Sequence, residues 1–145
     1  MSIRVRRLRL VVAGLCLTAV AGCSRTSANR PLDPDNELPI GTVDAPADGA
    51  RVPMAGPIAG WALDDRGIRE VRIYVDGRFV NMTPLNTSRP DVAKAYPQYV
   101  HGSDVVGWTT TLGFSAPGIH TVLAQAVDTD GATRDIGSLK VTAGQ

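Results

Sequence analysis

The fold of this chain is decided by "REVRIYVDGRFVNMTPL", Arg69 to Leu85. Val71, Ile73 and Val75 alternate with Arg72 and Tyr74, the period of a strand with one face buried and the other wet. Asp76-Gly77 follows at once, and a two-residue hairpin loop demands the positive φ that glycine adopts without steric cost. "RFVNMTPL" then returns as the partner strand.

The same pattern repeats on both sides. Short alternating runs are separated by Gly, Pro and Asp about every ten residues from Ile40 onward, and no helical period of useful length interrupts them. "IAGWALDD" (Ile58–Asp65) sets Ala59, Trp61 and Leu63 on one face, and "GWTTTLGF" (Gly107–Phe114) does so for Trp108, Thr110, Leu112 and Phe114. Both tryptophans are therefore expected between the sheets. "GIHTVLAQAVDTDG" and "TRDIGSLKVTA" close the set around an Asp130-Gly131 turn. Six or seven strands without crossover helices predict an all-β, mainly antiparallel sandwich.

The first 23 residues have the layout of a secretory signal. Arg4, Arg6, Arg7 and Arg9 precede an apolar run from Leu10 to Ala21, shorter than the roughly 20 residues a spanning helix needs. The run ends in "VAGC", Val20 to Cys23, which resembles the lipobox of bacterial lipoproteins. That resemblance implies cleavage before Cys23, acylation of its sulfur and attachment to a membrane without a spanning segment. Residues 1–22 are then a signal peptide, 23–39 a lipidated start with a flexible tether, and 40–145 the sandwich domain. Ser24 after the cysteine, in place of aspartate, favours an outer membrane where the organism has one.

Cleavage would take four arginines away and turn the net charge of +1 into −3, which lacks the basic footprint of a nucleic-acid binder. Cys16 would leave with the signal and Cys23 would carry lipid, so no intrachain disulfide is expected and the fold rests on its apolar core.

"GTVDAPADGARV", "GPIAGWALDDRGIREVRIYVDGRFV" and "RPDVAKAYPQY" together resemble the bacterial Ig-like domains of cell-surface and secreted proteins, over nearly all of Ile40 to Thr142. The resemblance implies a β-sandwich of about seven strands used for spacing, adhesion or recognition, without catalysis. Motifs for catalysis are also missing: no G-x-S-x-G, no H-E-x-x-H and no P-loop. His101, Ser103 and Asp104 share one loop, which gives a triad no rigid frame.

Candidate contact residues cluster in "RPDVAKAYPQYVHGSD", Arg89 to Asp104, a long loop with a short helix. Asp91 is expected to cap that helix and Pro97 to stop it, with Val92, Ala95 or Tyr96 resting on the core. Arg89, Lys94, Tyr96, Tyr99 and His101 would then face a partner, with Tyr74 on the outer face of its strand. Asp64-Asp65 reads as a turn of solvated acids, and His120 as a neutral histidine tying a turn to backbone. Asp128 and Asp130 in "DTDG" resemble half of an oxygen-ligand loop and are the calcium candidates, with Asp64, Asp65 or Asp104 within reach. No other metal or cofactor is expected. The functional expectation is a lipid-anchored cell-envelope module acting in protein–protein interaction, adhesion or scaffolding, without catalysis, with a carbohydrate- or peptidoglycan-binding module at the cell surface as the alternative.

Overall fold

A computed structural model of the chain describes residues 33–144. The signal peptide, the lipobox and Cys23 lie outside the described residues. Among the described residues, eight strands form two sheets: β1 Ile40–Ala45, β2 Arg51–Val52, β3 Ala55–Leu63, β4 Ile68–Val75, β5 Arg78–Thr83, β6 Gly107–Gly113, β7 Gly118–Asp128 and β8 Thr133–Ala143. A three-stranded sheet has the order β1-β3-β6 and a five-stranded sheet the order β2-β8-β7-β4-β5. All pairings are antiparallel except that of the two-residue β2 with β8, so the expected sandwich is what the chain forms.

The hairpin that decided the reading is present. Asp76 and Gly77 both have positive φ, 51° and 76°, which matches the turn to the strand twist. Val71, Ile73 and Val75 point inward from β4 and meet Val122, Ala124 and Ala126 of β7 and Leu139 and Val141 of β8. Ile58, Ala62, Trp108 and Leu112 answer from the other sheet. Trp108 is fully buried.

Trp61 departs from expectation. On β3 the residues facing the inter-sheet core are Ile58, Gly60 and Ala62, so Ala59, Trp61 and Leu63 look out of the opposite side of the three-stranded sheet. There a second, smaller core gathers Leu63, Val92 and Val106, with Ile40, Trp61, Tyr96 and Tyr99 packed around it. A one-residue shift in which face is covered exchanges every side chain of a strand, and β3 is covered on both. The lid of this second core is helix α1, Pro90–Ala95, followed by a 3-10 turn, Pro97–Tyr99.

Asp91 does not cap α1. The helix begins with Pro90 in its first turn and Arg89 at the cap position, without a side-chain cap bond. The Asp91 carboxylate instead takes two hydrogen bonds from the Arg89 guanidinium, which holds it down at about 2. Pro97 ends the helix as expected, with Tyr96 leaving the helical region.

Candidate functional site

The segment Arg89–Asp104 is tied into the fold at most of its named residues. The Arg89 backbone N–H donates to the Asp104 carbonyl and its guanidinium pairs with Asp44 of β1 and with Asp91. Ser88 Oγ donates to the Asp104 carboxylate at 2.7 Å. Tyr96 packs on Trp61 with ring centroids 5.5 Å apart, and the Tyr99 hydroxyl donates to Glu37 at 2.8 Å. His101 Nε2 lies 3.3 Å from the Asp64 carbonyl oxygen. Of the five candidates in the segment, Lys94 and His101 are exposed and the other three are half-buried in these contacts. The segment closes the second core.

Tyr74 stands elsewhere, on the outer face of the five-stranded sheet. Its ring meets Phe79 of β5 edge-on, at 5.8 Å and 72°, and the two are cross-strand partners. Met82 faces Arg72 two positions along, and Leu123 of β7 stands opposite Tyr74 on its other side. Phe79 is 54% exposed and Met82 56%, large apolar side chains left in water on a sheet edge. The sequence places Tyr74 on this outer face and does not single out Phe79 and Met82. A bulge in the β4–β5 pairing between Ile73 and Tyr74 breaks the simple alternation of β5, so only the paired register brings Phe79 beside Tyr74.

Amide side chains link the lower half of β5 and the residues after it to the other sheet. Asn81 donates to Thr110 Oγ1 at 2.8 Å and to the Thr111 carbonyl, while Asn86 exchanges hydrogen bonds with the backbone of Thr109. Asn81 thus ties β5, and Asn86 the segment after it, to β6 across the gap between the sheets.

At the far end of the sandwich, acidic side chains converge. Asp128 is fully buried; its Oδ1 accepts the N–H groups of Gly131 and Ala132, and its Oδ2 accepts Asn36 Nδ2 at 2.6 Å. Asp130 pairs with Arg66, which also pairs with Asp33 and Asp65. Asp64 is 2% exposed, so it is no solvated turn acid: burial pushes its carboxyl up to about 6, with Asp128 and Asp65 adding repulsion. Asp104 faces Ser88 and takes no part. Among the described residues, no group of three His, Cys, Asp or Glu side chains is preassembled to hold a metal. Asn36, Glu37 and Asp33 all reach the domain, so the end of the tether is seated on the sandwich.

His120 binds more than backbone. Nε2 lies 2.9 Å from the Ala116 carbonyl and Nδ1 2.7 Å from Asp76 Oδ2. Both partners only accept, so the contact is complete when both ring nitrogens carry protons, and this favours the charged imidazole over the neutral one the sequence suggested. Asp76 foremost, then the Ala116 carbonyl, raises the His120 pKa; His120 in turn lowers that of Asp76, with the Thr121 N–H adding to it. The raised imidazole stabilises the fold below its ordinary pKa of about 6.5 and the lowered carboxyl does so above about 4. Melting temperature should therefore fall as the pH climbs from 6 to 8, and fall again below 4. Asp76→Asn keeps the turn and the acceptor for Thr121 but removes the ion pair, so the wild-type minus variant difference should peak near pH 5 to 6. A difference that stays flat from pH 4 to 8 would contradict the charged pair.

No family profile and no curated protein matches the chain. Solved structures do. The dimeric latent PorU of Porphyromonas gingivalis aligns over 80% of this chain and 11% of its own, at 16% identity and a TM-score of 0.52. An endo-β-1,4-mannanase of Thermotoga petrophila aligns over 75% and 20%, at 12% identity and 0.50. The fibronectin(III)-like modules of Clostridium thermocellum CbhA align over 74% and 47%, at 20% identity and 0.49. The chain thus spans less than half of each of these structures, and at such identities the likeness is one of fold alone.

Proposed function

We propose that the chain is a non-catalytic module of a bacterial cell envelope, anchored by acyl chains on Cys23, that binds a protein through the outer face of its five-stranded sheet. The observation that carries the binding reading is the exposed Tyr74–Phe79–Met82 patch. Aromatic side chains and methionine are the types enriched where proteins meet, and no core position in this fold needs them there. A protein occupant suits the patch better than a glycan. The two rings stand edge-to-face at 72°, which offers a sugar no shared plane, and Met82 adds an aliphatic neighbour. The carbohydrate reading keeps one support, the polar Arg72 and Gln125 beside Tyr74.

Phe79→Asp with Met82→Asp should leave the melting temperature within about 2 °C, since both side chains are more exposed than buried, and should abolish recovery of a partner from solubilised membranes. Equal recovery by the variant would overturn this face as the binding surface. The anchor has its own test: Cys23→Ser should move the protein from the membrane fraction to the soluble one. Two or three acyl chains, at about 0.8 kcal/mol per buried methylene, are enough to hold it there.

A further inference from the structure

The Asp128 end of the sandwich holds more oxygen acceptors than donors. Asp128 is spent on Gly131, Ala132 and Asn36. Asp64 beside it accepts the Arg66 N–H on Oδ1, and its Oδ2 is buried without a partner. Asn36 Oδ1 and Asp65 Oδ1 are buried and unpartnered as well. With Asp64 ionised all three orphans are acceptors, so none can then satisfy another. The Arg66 guanidinium is turned to Asp33, Asp65 and Asp130.

A buried acceptor without a donor costs free energy, and a carboxylate costs most. A cation removes that cost for several oxygens at once. Two carboxylates and an amide oxygen, with no sulfur or imidazole ligand among them, are the hard donor set of calcium. Of the three, Asp64 lines a cleft that opens to the surface beside Leu63, Gly67, Tyr99, His101 and Val106.

We propose that Asp64 Oδ2, Asp65 Oδ1 and Asn36 Oδ1 ligate a calcium ion at this end of the sandwich, with water completing the shell. The carboxylates are not drawn together in advance, so binding includes a small closure and belongs in the weak range of extracellular modules, about 10⁻⁴–10⁻³ M. Asn36 lies in the segment that leads toward Cys23, so the ion would fasten that approach to the domain. The site stands apart from the Tyr74 face and does not rest on the reading of it.

The test is calorimetric melting of the full chain, stripped with chelator and titrated with CaCl₂. A rise of about 5 °C by ~10 mM is expected, as ligand binding to the folded state alone requires. Terbium should show luminescence sensitised by Tyr99, whose hydroxyl is near enough to feel Asp65 and Asp64. Asp64→Asn should abolish both responses while raising the melting temperature without calcium, because a neutral amide relieves the buried charge. Asp65→Asn, at a half-buried position, should weaken the calcium response several-fold and gives a second variant if the first fails to fold. No shift and no terbium signal would overturn the site, and so would equal responses in wild type and both variants.

Discussion

Trp108→Ala should lower the melting temperature of the domain by about 15 °C, corresponding to roughly 3–5 kcal/mol. Trp108 is fully buried between the sheets among Ile58, Val71, Ile73 and Val122, and removing its ring opens a cavity that two hydrogen-bonded sheets cannot collapse to fill. Its Nε1 makes no hydrogen bond, so the loss is one of packing. Trp108→Phe should accordingly cost much less than the alanine variant. Trp61→Ala is the contrast: the ring is half-exposed on the second core, and its loss should loosen Arg89–Asp104, read as faster amide exchange at Val92 and Tyr96, before it unfolds the sandwich. Equal melting losses for the two tryptophans would contradict the division into two cores.

Gly60→Ala should cost about 3 kcal/mol, although it adds a single methyl group. Gly60 lies on β3 between β1 and β6, opposite Val43 on one side and Trp108 on the other. A Cβ there would overlap the Thr42 carbonyl and stand 2.7 Å from Trp108 Cζ2. Neither neighbour can yield, since one is strand backbone and the other is the central ring of the core. The strands must part or the ring must turn. Gly113→Ala at the end of β6 meets nothing within 4 Å and does not sit at a positive φ, so it should change stability by less than about 0.5 kcal/mol. Chemical denaturation of the pair checks both; a Gly60→Ala protein as stable as the wild type would mean that β1 and β3 do not approach as described.

The strands were legible because their alternation is local. Val71, Ile73 and Val75 announce one buried face, and Asp76-Gly77 announces the reversal, without knowledge of any distant residue. Trp61 was misplaced because β3 is covered on both sides, and a strand apolar on both faces carries no phase to read. Asp64 looked like a solvated acid because its neighbours include Asp128 and His101, 64 and 37 residues away in the chain. The Tyr74 patch was half visible: the tyrosine follows from alternation, while Phe79 joins it only through a bulged register. Arg89 and Tyr99 looked available for a partner for the same reason, since Asp44 and Glu37, which engage them, lie far back in the chain. Non-local pairing hides a site more thoroughly than it hides a strand.

A partner that binds the outer sheet, with the long segment closing a core, should contact position 79 and not position 94. Photocrosslinking in native membranes tests it, with a photoreactive residue placed once at Phe79 and once at Lys94, both exposed. The expected result is a discrete protein adduct from position 79 and none from position 94. An adduct from position 94 alone would return the binding role to Arg89–Asp104 and contradict binding at the outer sheet.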